Sequence, residues 1–372
     1  MKLSFFFHIS VLFLLGIFFI KLIPFEKYPD YKYLEFRILG EDQSIKKTPQ
    51  YMAQKTIGNY FSVSNKYKNF FNSPSENYRI FFFSITVFFC FILYWAENFF
   101  KRHHFKKSLI LFTSFVYPSV LFSITTPSPE AMFTILSIFI VSNINLSKIE
   151  NIEIVKALPL LLLCYYFDSG NFLVFVAYLI FTLFLSTIRK YFSLKYFLLM
   201  LLFIVSTFLY IENNVLVFLT NFLNSSKLND LLLRVNNLGL MNLSFEEIFK
   251  RYIYFFITLL TLTLPSKIFS YITIICVCIL ILFASSNKNV LTKSKEFFAE
   301  KHNQILASSL LLFPLLVICI LPTHAFAKYY LFLIPFIIQI LLLLFNEKKL
   351  LVIVILFSIL SILEHYLFLN FI

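Results

Sequence analysis

Glycine is scarce, with five in 372 residues. That leaves no glycine-rich loop to cradle nucleotide phosphates, and neither a Walker sequence, nor Gly-x-Ser-x-Gly, nor His-Glu-x-x-His occurs. Charge is scarce too. Asp, Glu, Lys and Arg make up 14% of the chain, against about a quarter in soluble domains. With 59% hydrophobic residues and a mean hydropathy of +0.83, this excludes a water-soluble globular enzyme. The five cysteines (Cys90, Cys164, Cys276, Cys278 and Cys319) all sit in apolar runs, and no metal or disulfide framework is readable from them. Phenylalanine is abundant, at 52 residues. Alongside plentiful Ile, Lys, Asn and Tyr it reads as the drift of an AT-rich genome, so aromatic richness assigns no function.

What the chain does contain is apolar runs of membrane-crossing length. A bilayer core needs about 20 apolar residues per helix. The runs 3–23, 79–97, 108–123, 131–141, 157–167, 172–187, 196–211, 268–283, 304–321, 329–345 and 350–368 predict an all-α, polytopic membrane protein of about eleven transmembrane helices, in a single membrane domain over 1–372. Lys+Arg is 32 and Asp+Glu 19, a formal net charge of +13. The positives lie mainly in short runs between apolar segments, the pattern of cytoplasmic loops rather than of a nucleic-acid surface. Residues 101–107 carry four cations in seven positions. They fix that loop inside, the N-terminus inside, and the long loop 24–78 outside. A second external, interfacial segment is expected at 212–251. The apolar piece 252–264 either spans or forms a half-helix in the outer leaflet; the half-helix is favoured, because a full extra span would turn Lys288, Lys293, Lys295 and Lys301 outside.

On this topology the remaining polar groups collect at the external side. Asp30 follows the first span, and Glu130 opens the fourth. Asp168 lies between the fifth and sixth, and His324 and Lys328 between the ninth and tenth. Ionisable groups at membrane depth are costly and tend to mark function. Each also has a plain reading. Asp30 fits a solvated loop acid, Glu130 a favourable charge at a helix N-terminus, Asp168 with Gly170 a tight turn, and Lys328 a snorkelling lysine. Arg37 and Arg234 have the planar fork that grips phosphates, and equally serve as interface anchors.

Three stretches carry a family likeness: Tyr28-Pro29-Asp30-Tyr31-Lys32-Tyr33-Leu34, Thr126-Pro127-Ser128-Pro129-Glu130-Ala131-Met132-Phe133, and His324-Ala325-Phe326-Ala327-Lys328-Tyr329-Tyr330 running on to Pro335. With the layout, they resemble the membrane-embedded glycosyltransferases of the GT-C superfamily and the Wzy-type polymerases of O-antigen and capsule synthesis. Lysine at 328 stands where arginine is commoner. The resemblance implies transfer of polyprenyl-phosphate- or pyrophosphate-linked sugars at the external face of the cytoplasmic membrane. Asp30 is then the catalytic base or acceptor-orienting acid, Lys328 with Arg37 or Arg234 holds phosphate, and Glu130, Asp168 and His324 line the site. The partners implied are a polyprenyl-linked saccharide, membrane lipids and other polysaccharide-assembly proteins. No nucleic acid is expected. No cofactor is called for, with a divalent metal left open. Two alternatives stand beside this: a GT-C enzyme adding a single sugar, and a flippase or transporter of lipid-linked oligosaccharide.

Overall fold

In a computed structural model, the chain is described at residues 2–24, 76–100, 105–126, 129–143, 151–211, 232–233, 236–237, 244–261, 288–321 and 326–371. Among these residues every element is helical. In order they are α1 (Lys2–Leu22), α2 (Glu76–Phe100), α3 (Phe105–Val116), α4 (Pro118–Thr125), α5 (Pro129–Asn143), α6 (Asn151–Phe167), α7 (Ser169–Tyr191) and α8 (Leu194–Ile211). Then follow α9 (Phe245–Leu260), α10 (Lys288–Ala299), α11 (Lys301–Ile320), a 3-10 segment (Ala327–Leu333), α12 (Ile334–Leu344) and α13 (Glu347–Phe371). Three stretches are long and apolar enough to cross a bilayer: Ser169–Tyr191, Lys301–Ile320 and Glu347–Leu367. Shorter apolar helices accompany them, including Phe6–Leu22, Arg79–Leu93 and Ala327–Leu343. This is an all-helical, membrane-embedded architecture. The expected span 268–283, most of the loop 24–78 and most of 212–251 lie outside the described residues, and residues 76–78 of that loop belong to α2.

Several boundaries differ from the sequence expectation. The run 108–123 is two helices, because Pro118 has no N–H to continue the ladder and Tyr117 turns to extended backbone (φ −62°, ψ 138°). The run 329–345 is likewise broken into the 3-10 segment and α12, with Tyr330 at φ −125°, ψ 18° and Pro335 in the first turn of α12. Part of the loop expected at 143–156 belongs to α6, which begins at Asn151. The basic loop expected at 285–302 is helical over α10. α9 begins seven residues before the apolar run at 252. Ser244 and Glu247 form a capping box in which Ser244 Oγ accepts from the Glu247 N–H and Glu247 Oε2 accepts from the Ser244 N–H at 2.9 Å. The Ser244 backbone and side-chain bonds, then Arg251 and Lys250, hold the Glu247 carboxyl below its usual range.

In hydrocarbon a helix end or break must find its hydrogen bonds inside the protein. Neighbouring side chains supply them here. Ser358 Oγ donates to the carbonyl of Val116, the last residue of α3. Ser119 Oγ donates to the Leu259 carbonyl at 3.0 Å, near the end of α9. Tyr252 donates to the Leu311 carbonyl at 2.7 Å, in the stretch of α11 that Pro314 loosens. Ser119 belongs to the first turn of α4, beside the break at Pro118, so α9 ends partway along its neighbours. Its 16 residues span about 24 Å, and residues 262–264 of the apolar piece lie outside the described residues.

α1 and α2 approach closely at Gly16, where an added Cβ would overlap the ring of Phe83, itself fully buried. Small residues permit such approach between membrane helices. Gly16→Ala is therefore expected to destabilise the bundle by about 1–3 kcal/mol through overpacking. Thermal unfolding in detergent checks this, and Phe83→Leu in the same chain should restore part of the loss.

Candidate functional site

Contacts between helices fix which ends share a side of the bundle. α7 and α11 run antiparallel, since Tyr178 meets Phe313 (5.4 Å between rings) while Arg189 Nε donates to Gln304 Oε1 at 2.6 Å. Phe133 of α5 lies 6.1 Å from Phe175 of α7, and Phe175 lies 4.9 Å from Phe332. The N-termini of α5, α7 and the 3-10 segment are thus together at one end, with Glu130, Asp168 and Lys328. Phe19 against Phe122 (5.8 Å) brings the end of α1 and the start of α2 to the same side.

The 3-10 segment is the centre of this end. It packs against α4, α5, α7, α9 and α12. Irregular backbone at membrane depth is tolerated where protein surrounds it, and Ala327 and Tyr330 to Leu333 are all buried. Beneath Lys328 lies an aromatic plug. Tyr330 meets Phe255 edge-on at 4.9 Å and Phe313 at 6.1 Å, and Tyr178 meets Phe332 at 5.0 Å. The Tyr330 hydroxyl is buried and finds no hydrogen-bond partner among the described residues. Lys328 itself is exposed, its ammonium 5.2 Å over the Tyr329 ring.

Asp168 is the N-cap of α7 and only 3% exposed. Its Oδ1 accepts from the backbone N–H of Gly170 at 3.1 Å and of Asn171 at 3.0 Å, and its Oδ2 accepts from Asn171 Nδ2 at 2.6 Å. These are the bonds of a helix cap, and they make Asp168 a residue that holds the start of α7 in place. Glu130 is half-buried in the first turn of α5. Below it Ser123 and Thr134 hydrogen bond at 3.0 Å and tie α4 to α5. Asp30, Arg37, Arg234 and His324 lie outside the described residues.

One charged residue of this end carried no sequence signal. Arg79 reads only as the start of an apolar run, yet it is 1% exposed and donates from Nη1 to the Ile23 carbonyl at 2.6 Å. It closes the open end of α1, with Lys21 and Glu76 ion-paired beside it. Cys90, Cys164 and Cys319 are buried and outside any disulfide. No group of three metal-ligating side chains gathers among the described residues.

Comparison with protein-family models, curated proteins and solved structures finds no match.

Proposed function

We propose that the chain transfers or polymerises lipid-linked sugars at the external face of the cytoplasmic membrane, as a Wzy-like polymerase of surface polysaccharide. The observation that carries this reading is the gathering of Glu130, Asp168 and Lys328 at one end, around a broken helix plugged with aromatics. A polyprenyl-linked donor keeps its phosphate at the membrane surface, where Lys328 is presented. There a cation stabilises charge developing on the leaving phosphate. Asp30, in the loop entering the same side, takes the proton of the acceptor hydroxyl, with Arg37, Arg234 and His324 available to the phosphate and sugar. A transporter would place charge along the full depth of a central path. The plug of Phe175, Tyr178, Phe313, Tyr330 and Phe332 favours the enzyme over that alternative.

Topology and product together test this. A reporter fused after Lys106 is expected to read as cytoplasmic and one near Ser64 as external. Cells lacking the protein are expected to display a single repeat unit where the wild type displays long surface polymer. An external reading at Lys106 would place the site on the wrong side of the membrane and end the glycosyl-transfer reading. Unchanged polymer length in cells lacking the chain would end the polymerase reading.

A further inference from the structure

At the opposite end of the bundle, α10 and the turn between α12 and α13 enclose a cleft of about 460 Å³. Lys293 of α10 forms one wall. Leu342 and Phe345, at the close of α12, supply its apolar lining, and Asn346, Glu347 and Lys348 the rest of its polar lining. α10 is held firmly against the bundle. Arg189, buried on α7, donates to Gln304, and Gln304 Nε2 donates in turn to the Phe298 carbonyl. Asn303 Nδ2 donates to the Phe297 carbonyl at 3.0 Å. These amides close the end of α10 and fix where Lys293 stands. On the other side, Asn346 Oδ1 accepts from the Lys349 N–H at 2.8 Å and sets the start of α13.

We propose that this cleft binds the headgroup of an anionic phospholipid, with the phosphate between Lys293 and Lys348 and the root of an acyl chain on Leu342 and Phe345. Both lysines are exposed and Leu342 and Phe345 half-buried, so the cleft offers exposed positive charge beside less exposed apolar surface. A phospholipid uses both, and a free phosphate would leave the apolar lining unused. Glu347 in the same wall opposes a second negative charge and accepts hydrogen bonds. It suits a singly charged headgroup that carries hydroxyls, such as phosphatidylglycerol. General attraction of anionic lipid by basic loops makes a different demand, because every lysine of this end would then count alike. The inference is independent of the proposed function.

Native mass spectrometry of the full chain in detergent, titrated with phosphatidylglycerol or phosphatidylcholine, tests it. The expected result is preferential retention of phosphatidylglycerol. The Lys293→Gln/Lys348→Gln pair should weaken it by about thirtyfold, while Lys195→Gln, on an exposed lysine of the same end, should leave it near wild type. Circular dichroism of each variant should be unchanged, since the substituted side chains are exposed. Equal retention of both lipids, or equal loss in Lys195→Gln, would overturn the cleft. Displacement by inorganic phosphate at matched concentration would overturn the assignment to a lipid.

Discussion

Asp30→Asn is expected to abolish chain elongation while leaving membrane insertion and abundance near wild type. The substitution keeps the shape and hydrogen-bonding reach of the side chain and removes its capacity to take a proton. Losing a general base costs about two to four orders of magnitude in rate. The residue stands in the polar stretch after the first apolar run. Polymer length on the cell surface gives the readout, from full-length chains to a single repeat unit. A purified assay with polyprenyl-linked repeat units adds the pH profile. The variant's rate should stay far below wild type across that profile. Normal-length polymer from Asp30→Asn would remove it from the role of base. Glu130 would then be next, since it is half-buried at a helix start, whereas the described bonds of Asp168 are those of the α7 cap.

Lys328→Ala is expected to lower elongation by about two to three orders of magnitude, the usual cost of removing one charge-stabilising donor. The packing of the 3-10 segment is carried by Ala327 and Tyr330 to Leu333, all buried, while Lys328 is exposed. Truncation therefore opens no cavity, and stability should move by less than about 0.5 kcal/mol. Lys328→Arg separates charge from mere presence. Arginine keeps the positive charge and adds a planar fork suited to phosphate, so partial or full activity should return. If Lys328→Ala elongated normally, the lysine would be a snorkelling anchor over Tyr329, and phosphate binding would pass to Arg37 or Arg234.

The alternatives separate on the same variants. A single-sugar GT-C enzyme would lose a decoration while polymer length stayed normal. A flippase would leave undecorated, lipid-linked repeat units on the cytoplasmic side. In a transporter the sensitive residues would run through the depth of the bundle, so Lys328 and Asp30 would have no special standing over the polar groups of the opposite end.

Arg79 shows where local sequence falls short. Its neighbours read as the polar start of an apolar helix, and an arginine there is ordinarily an interface anchor. Only the packing of α1 on α2 turns it inward to the Ile23 carbonyl. The breaks behave differently. Pro118 and Pro335 were visible in the sequence, and a proline within an apolar run demands a partner for the carbonyls it strands. Which partner answers is not written locally, because Ser358 lies 242 positions from Val116; the same holds at the end of α9, where Ser119 lies 140 positions from Leu259.

The sequence by itself determined the membrane setting and the helical class. Those follow from composition and from the length of apolar runs, which solvent reads one segment at a time. The tertiary structure decided what each polar group does. It made Asp168 a cap, buried Arg79 against α1, joined α10 to the bundle through Arg189 and Gln304, and set Lys328 above an aromatic plug drawn from α7, α9, α11 and the 3-10 segment. These roles depend on which helices are neighbours, and that is settled by packing and by where unpaired backbone groups find partners in a medium that offers no water.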